Sequence, residues 1–250
     1  MSMHPHVRSW IVLASLTAAV AAAAAAPLAA QQPTAAAKPG DKAKPTMTMD
    51  TTKSKTDSAR AATAAAGLPE GYRARTDRGA PLTSVKVATM APGVHVTTGP
   101  ATILWREQDR VNGRFHTLAT FHQTKKPAHP EAYGMFFGGD ALNGEGQKYT
   151  YFLVRGDGKF LIKRRDGAGT TNVTPDWTAH PAIKQQDAEG KATNKLEIDA
   201  KASSDKVRFS VNGQTVHEMD QKDAELNGIV GLRVNHNLDL HVEGFDIHRL

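Results

Sequence analysis

The chain has 250 residues, a formal charge of +6 and no cysteine. Without thiols it has no disulfide, no thiolate zinc site, no cysteine nucleophile and no lipidated cysteine anchor, so its fold is held by core packing alone. Most of the excess positive charge lies in residues 1–66. The remainder is nearly neutral with scattered charge, which argues against nucleic acid as a partner.

In chain order, Arg8 precedes an uncharged apolar run over 10–26, and Leu28-Ala29-Ala30 supply small residues before Gln31. That order is the pattern of a secretory signal. Residues 1–30 are therefore expected to be a signal peptide cleaved near Ala30, leaving a secreted or periplasmic bacterial product free of the membrane. Residues 31–66 are rich in Ala, Thr, Lys and Pro, with Met47 and Met49 their only larger apolar side chains. Such a segment cannot bury enough surface to offset its ordering entropy, and a disordered linker is expected.

Over 67–250 the pattern changes to short alternating runs separated by Gly, Asn, Asp and Pro. PATILWRE (100–107) sets Ile103 and Trp105 on one side. GRFHTLATFHQ (113–123) sets Phe115, Ala119 and Phe121 against His116, Leu118 and His122. AYGMFFGG (132–139) is apolar on both sides, as a central strand is. NKLEIDAKA (194–202) alternates Leu196 and Ile198 with Glu197 and Asp199. KVRFSVNGQTVHEMD (206–220) has Asn212-Gly213 where a type I′ hairpin turn needs positive φ twice. GIVGLRV (228–234) and LDLHVEGFDIHRL (238–250) follow. Many short strands with frequent turn signals predict an all-β fold, two antiparallel sheets in a sandwich.

YTYFLVRGDGKFLIKRR (149–165) contains Arg-Gly-Asp, which reads as an adhesion tripeptide or as a hairpin. Register decides. A three-residue loop, Gly156-Asp157-Gly158, pairs Arg155 with Lys159 and puts Phe152, Val154, Phe160 and Ile162 on one face. A one-residue slip exchanges the faces, so burial selects this register, and Gly158 closes the loop in the left-handed region without a Cβ clash. The opposite face then carries Tyr149, Tyr151, Arg155, Lys163 and Arg165.

The C-terminal pattern FSVNGQTVHEMD and GIVGLRVNHNLDLHVEGFDIHRL, with YGMFFGG and the hairpin, resembles the concanavalin A-like lectin/glucanase jelly roll. It is most similar to exported bacterial laminin-G-like domains of the 3-keto-disaccharide hydrolase type. The resemblance spans roughly residues 90–250. It implies a jelly-roll sandwich, an architecture that hosts lectins, glucanases and interaction modules.

Candidate chemistry falls on two faces. Tyr149, Tyr151, Arg155, Lys163 and Arg165, with Trp177 from PDWTAHPAIK, are candidates for a carbohydrate or related polyhydroxylated ligand. Aromatics stack on the apolar faces of sugar rings, and cations donate to hydroxyls or carboxylates. The alternative is that both tyrosines pack beneath the Trp177 segment, with Trp177 a satellite core residue. Glu197-Ile198-Asp199 resembles part of the Glu-x-Asp-x-x-Glu strand of laminarinase-type glucanases, where retaining hydrolysis sets two carboxylates about 5 Å apart. Here the third position is Ala202, so the motif is broken. For a glycoside hydrolase acting on 3-keto-glycosides, Glu197, Asp199 and His180 are the acid/base candidates; as a plain strand, 197 and 199 are a solvated polar face. Asp140, Asn143 and Glu145 are oxygen donors of the kind calcium takes, without the dense spacing of a calcium loop. No HExxH, Gly-x-Ser-x-Gly, P-loop or dinucleotide motif occurs. His116 and His122 sit too far apart on their strand to share a metal, so no metal and no cofactor is expected. The sequence thus expects a carbohydrate-binding domain, with the hydrolase and a protein-interaction module as alternatives.

Overall fold

The computed structural model describes residues 67–249; the expected signal peptide and linker lie outside the described residues. Alternation becomes strands almost throughout. They are β1 (Tyr72–Thr76), β2 (Val85–Thr89), β3 (Val94–Thr98), β4 (Thr102–Val111), β5 (Phe115–Gln123), β6 (Ala132–Asp140), β7 (Lys148–Arg155) and β8 (Lys159–Asp166). There follow β9 (Gly169–Asn172), β10 (Thr178–Ala179), β11 (Ala192–Asp199), β12 (Lys206–Val211), β13 (Gln214–Asp220), β14 (Gly228–Val234) and β15 (Asp239–Arg249). Three short 3₁₀ turns complete the elements, and among the described residues no helix is long and apolar enough to cross a membrane.

Two antiparallel sheets form a jelly-roll sandwich. The first runs β1-β4-β14-β6-β7-β8-β10, with β9 also pairing β8; the second runs β13-β12-β11-β5-β15-β3-β2. Period two explains the layers, since successive side chains on a strand point to opposite faces. Along β5 every odd residue is buried. The inner faces meet through Phe152 and Phe209, edge to face at 5.3 Å, and through Phe121 and Tyr133 at 5.3 Å. Asn194 donates to the Tyr133 hydroxyl at 3.2 Å in the core, and burial pushes that phenol's pKa up to about 12.

The long hairpin has the expected register. Arg155 pairs with Lys159, Phe152 with Ile162 and Val154 with Phe160, and Gly158 has φ +82°. Arg-Gly-Asp is not displayed for a receptor. Arg155 donates twice to Asp157, at 2.8 and 2.6 Å, and the backbone N–H groups of Gln186 and His180 bond the carbonyls of Gly156 and Gly158. The Asn212-Gly213 turn also has positive φ twice. β6 lies between β14 and β7, as its two-sided apolarity predicts.

Candidate functional site

On the first sheet, the face away from the sandwich core is where the sequence places its ligand-binding residues. Register brings them together: Tyr149 pairs with Arg165 and Tyr151 with Lys163 across β7 and β8. The neighbouring strands contribute Trp105 from β4, Phe136 from β6 and Arg233 from β14. Trp105 and Phe136 flank Gly231, where an added Cβ would lie 2.6 Å from the Phe136 ring. The absent side chain at 231 is what lets Phe136 lie over the sheet.

The expected polar surface is instead a second apolar cluster. Ile103, Trp105, Phe136, Leu142, Tyr149, Tyr151, Leu153 and Ile229 are buried together, with Trp177 packed against them. Tyr149 is only 3% exposed and Tyr151 only 5%. The reason is composition: β4, β6 and β14 carry large apolar residues on both faces, so the outer face of the central strands has its own packed layer. Trp177 stacks on the Arg155 guanidinium, 4.4 Å from its ring centre, and Lys163 is half-buried beside Tyr151.

A charged network threads this layer. Arg233 donates to Asp77 at 2.7 and 3.3 Å and to the Tyr149 hydroxyl at 3.0 Å, with its guanidinium 4.9 Å from the Tyr151 ring centre. Arg165 reaches the same Asp77 oxygen at 3.4 Å. Burial alone would raise the Asp77 pKa, but the Arg233 hydrogen bond and the charges of Arg233 and Arg165 outweigh it and hold the carboxyl below its usual range. Burial likewise raises both tyrosines, so their phenols stay protonated, and Tyr149 keeps its O–H to donate after accepting from Arg233. Three buried donors on this face have no partner: Trp105 Nε1, Arg165 Nε and Arg233 Nε.

Tyr149 and Arg165 also border a cleft of about 720 Å³ at the end of the first sheet, where β6 and β8 leave and β7 and β14 enter. Its wall carries four cations, Arg110, Lys148, Arg164 and Arg165, four acids, Asp140, Asp166, Asp223 and Glu225, and the amides Asn112 and Asn227. Of the calcium candidates, Asp140 lines this cleft, Asn143 and Glu145 lie in the exposed loop beyond it, and no metal-holding group of three or more His, Cys, Asp or Glu occurs among the described residues.

The acid/base candidates do not converge. Glu197 lies on the outer face of the second sheet, bonded to His116 Nε2 at 3.2 Å and Lys195 Nζ at 3.1 Å. Asp199 accepts from the backbone N–H groups of Lys201 and Ala202 at 2.7 and 3.0 Å, holding the turn after β11. His180 sits at the edge of the first sheet, its ring against Phe160 of the main core and its Nδ1 accepting from the Ala182 N–H. Of these candidates, Glu197 and Asp199 stand two residues apart on β11 of the second sheet, and His180 borders the first. Asp77 and Arg233 escaped sequence reasoning because they lie 156 residues apart, in a polar turn and an apolar strand.

The sandwich has the concanavalin A-like jelly-roll fold. It superposes on a carbohydrate-binding module, CBM66 from Bacillus subtilis, with TM-score 0.52 at 10% identity, over 71% of this chain and 95% of that one. A protein of unknown function with a galectin-like fold, also from Bacillus subtilis, gives TM-score 0.48 at 12% identity over 71% and 88%. No family model matches the chain, and none of the curated proteins does.

Proposed function

We propose that this chain is an exported carbohydrate-binding domain that takes a glycan in the cleft at the end of the first sheet. The cleft's composition carries the reading. Its four cationic and four acidic side chains leave no net charge to favour an ionic ligand. Such a mixture of donors and acceptors suits hydroxyl groups, each of which donates and accepts at once. The superposition on a carbohydrate-binding module supports the same reading at the level of architecture.

Binding is favoured over the 3-keto-glycoside hydrolase reading because none of that reading's candidates, Glu197, Asp199 and His180, lines the cleft. A glycan array probed with the full-length chain, followed by calorimetry on the best glycan, tests this. Asp140→Asn is expected to weaken that glycan about tenfold, the effect of one charge-assisted hydrogen bond, with the melting temperature unchanged. An array with no bound glycan overturns the proposal, and sugar released from a bound glycan transfers the site to a hydrolase.

A further inference from the structure

The outer face of the second sheet carries His95, His116, His122, His241 and His248, none of which enters the cleft. Three form a row across β3, β15 and β5, His241 lying between its register partners His95 and His122. The two outer members of that row are engaged. His95 Nε2 meets Asp239 at 3.0 Å, while His122 uses Nε2 on Glu243 at 2.6 Å and Nδ1 on Thr193 at 2.9 Å.

The remaining pair is different. His116 and His248 are register partners on β5 and β15, with ring centres 5.4 Å apart. His116 Nε2 lies 3.2 Å from Glu197 Oε2, and His248 Nε2 lies 3.0 Å from Asp246 Oδ2. An ionised carboxylate only accepts, so each Nε2 carries the ring proton and each neutral ring has its lone pair on Nδ1. Those two Nδ1 atoms are 3.3 Å apart. Two lone pairs at that separation repel unless a cation lies between them.

We propose that His116 and His248 form a two-nitrogen site for a divalent metal ion of the zinc type. Two ligands at Zn–N distances of 2.0–2.1 Å in tetrahedral geometry stand about 3.3–3.4 Å apart, against about 2.9 Å at a square-planar corner. The observed separation fits the first. Glu197 and Asp246 are the outer partners that such histidines need, fixing the tautomer and raising ligand basicity. Both are themselves held, Glu197 by Lys195 Nζ at 3.1 Å and Asp246 by the Ile247 N–H at 2.7 Å. Water fills the remaining positions, since the site lies at the surface with the His116 and His248 side chains 22% and 50% exposed. A register shift between Glu243 and Asp246 builds the pair. The extra residue of a bulge exchanges the faces beyond it; without it His248 would point away from His116.

The test uses the full-length chain without an affinity tag, stripped with chelator and titrated with Zn²⁺ by calorimetry and imidazole ¹⁵N NMR. Zn²⁺ is expected to shift the Nδ1 resonances of His116 and His248. His248→Ala and His116→Gln should each remove this binding event, Asp246→Asn should weaken it by about 10–100-fold, and His122→Ala should leave it unchanged. Because His248 is half-exposed, His248→Ala should melt with the parent in the absence of metal, so it decides the matter even if His116→Gln fails to fold. Zn²⁺ binding that His248→Ala does not weaken overturns the proposal. So does a proton that stays shared between the two rings at saturating Zn²⁺.

Discussion

The two outer faces of this sandwich are built by the same alternation and end in opposite states. On the first sheet, Trp105, Phe136, Tyr149 and Tyr151 are buried and enclose a single charged network centred on Arg233 and Asp77. On the second, His–carboxylate pairs stand half-open, each on its own carboxylate. Buried polar groups must be satisfied together or not at all, because the low dielectric that strengthens their bonds also penalises each loss. Pairs partly open to solvent, as on the second face, are screened more strongly than the Arg233 network. The first face therefore couples stability to its charges, while the second is free to carry chemistry that costs the fold little.

The largest expected effect is at Arg233. Arg233→Met leaves Asp77 and the Tyr149 hydroxyl without their main partner and should cost about 3–5 kcal/mol in urea denaturation, as breaking a buried ion pair does. A loss below about 1 kcal/mol, the ceiling for an exposed pair, would erase the distinction between the faces. Next is Gly231→Ala, whose Cβ would meet the Leu104 carbonyl at 2.5 Å and the Phe136 ring at 2.6 Å. Overpacking there should cost about 1–3 kcal/mol and disturb the near-ultraviolet signal of Trp105.

Acid sharpens the comparison by sign. The folded pKa of Asp77 lies below its unfolded value, so the unfolded chain takes up the proton first as pH falls. The stabilisation is complete above the unfolded value, about pH 4, and is lost as pH falls through the depressed folded one. Asp77→Asn should flatten this acid limb in urea midpoints measured against pH, and an unchanged limb would remove Asp77 from the network's account. Smaller still is Trp177→Ala, which removes one partly exposed cation–π contact worth about 0.5–1 kcal/mol. Smallest is Glu197→Gln on the other face, expected to change the metal-free melting free energy by less than about 1 kcal/mol.

Much of this architecture is legible in single stretches of sequence. The register of 149–165 follows from four apolar residues and one glycine, because only one pairing buries Phe152, Val154, Phe160 and Ile162 together. The short strands β1, β2, β3, β9 and β10 are not read from the sequence, since segments of five residues or fewer carry too few alternations to stand out from turns. Nor is the burial of Tyr149 and Tyr151. Their strand reads as half-exposed, and only the apolar outer residues of β4, β6 and β14 beside it make it otherwise.

What the sequence by itself determined was local: which runs alternate, where Asn212-Gly213 and Gly158 turn the chain, and which side of the 149–165 hairpin faces the core. Side-chain period and backbone sterics act between near neighbours, so a short window contains their whole cause. The tertiary structure alone decided what meets across strands. Strand order seats Asp77 against Arg233, and a bulge in β15 turns His248 towards His116. Such pairings depend on which strands lie side by side, and no window of sequence holds both partners.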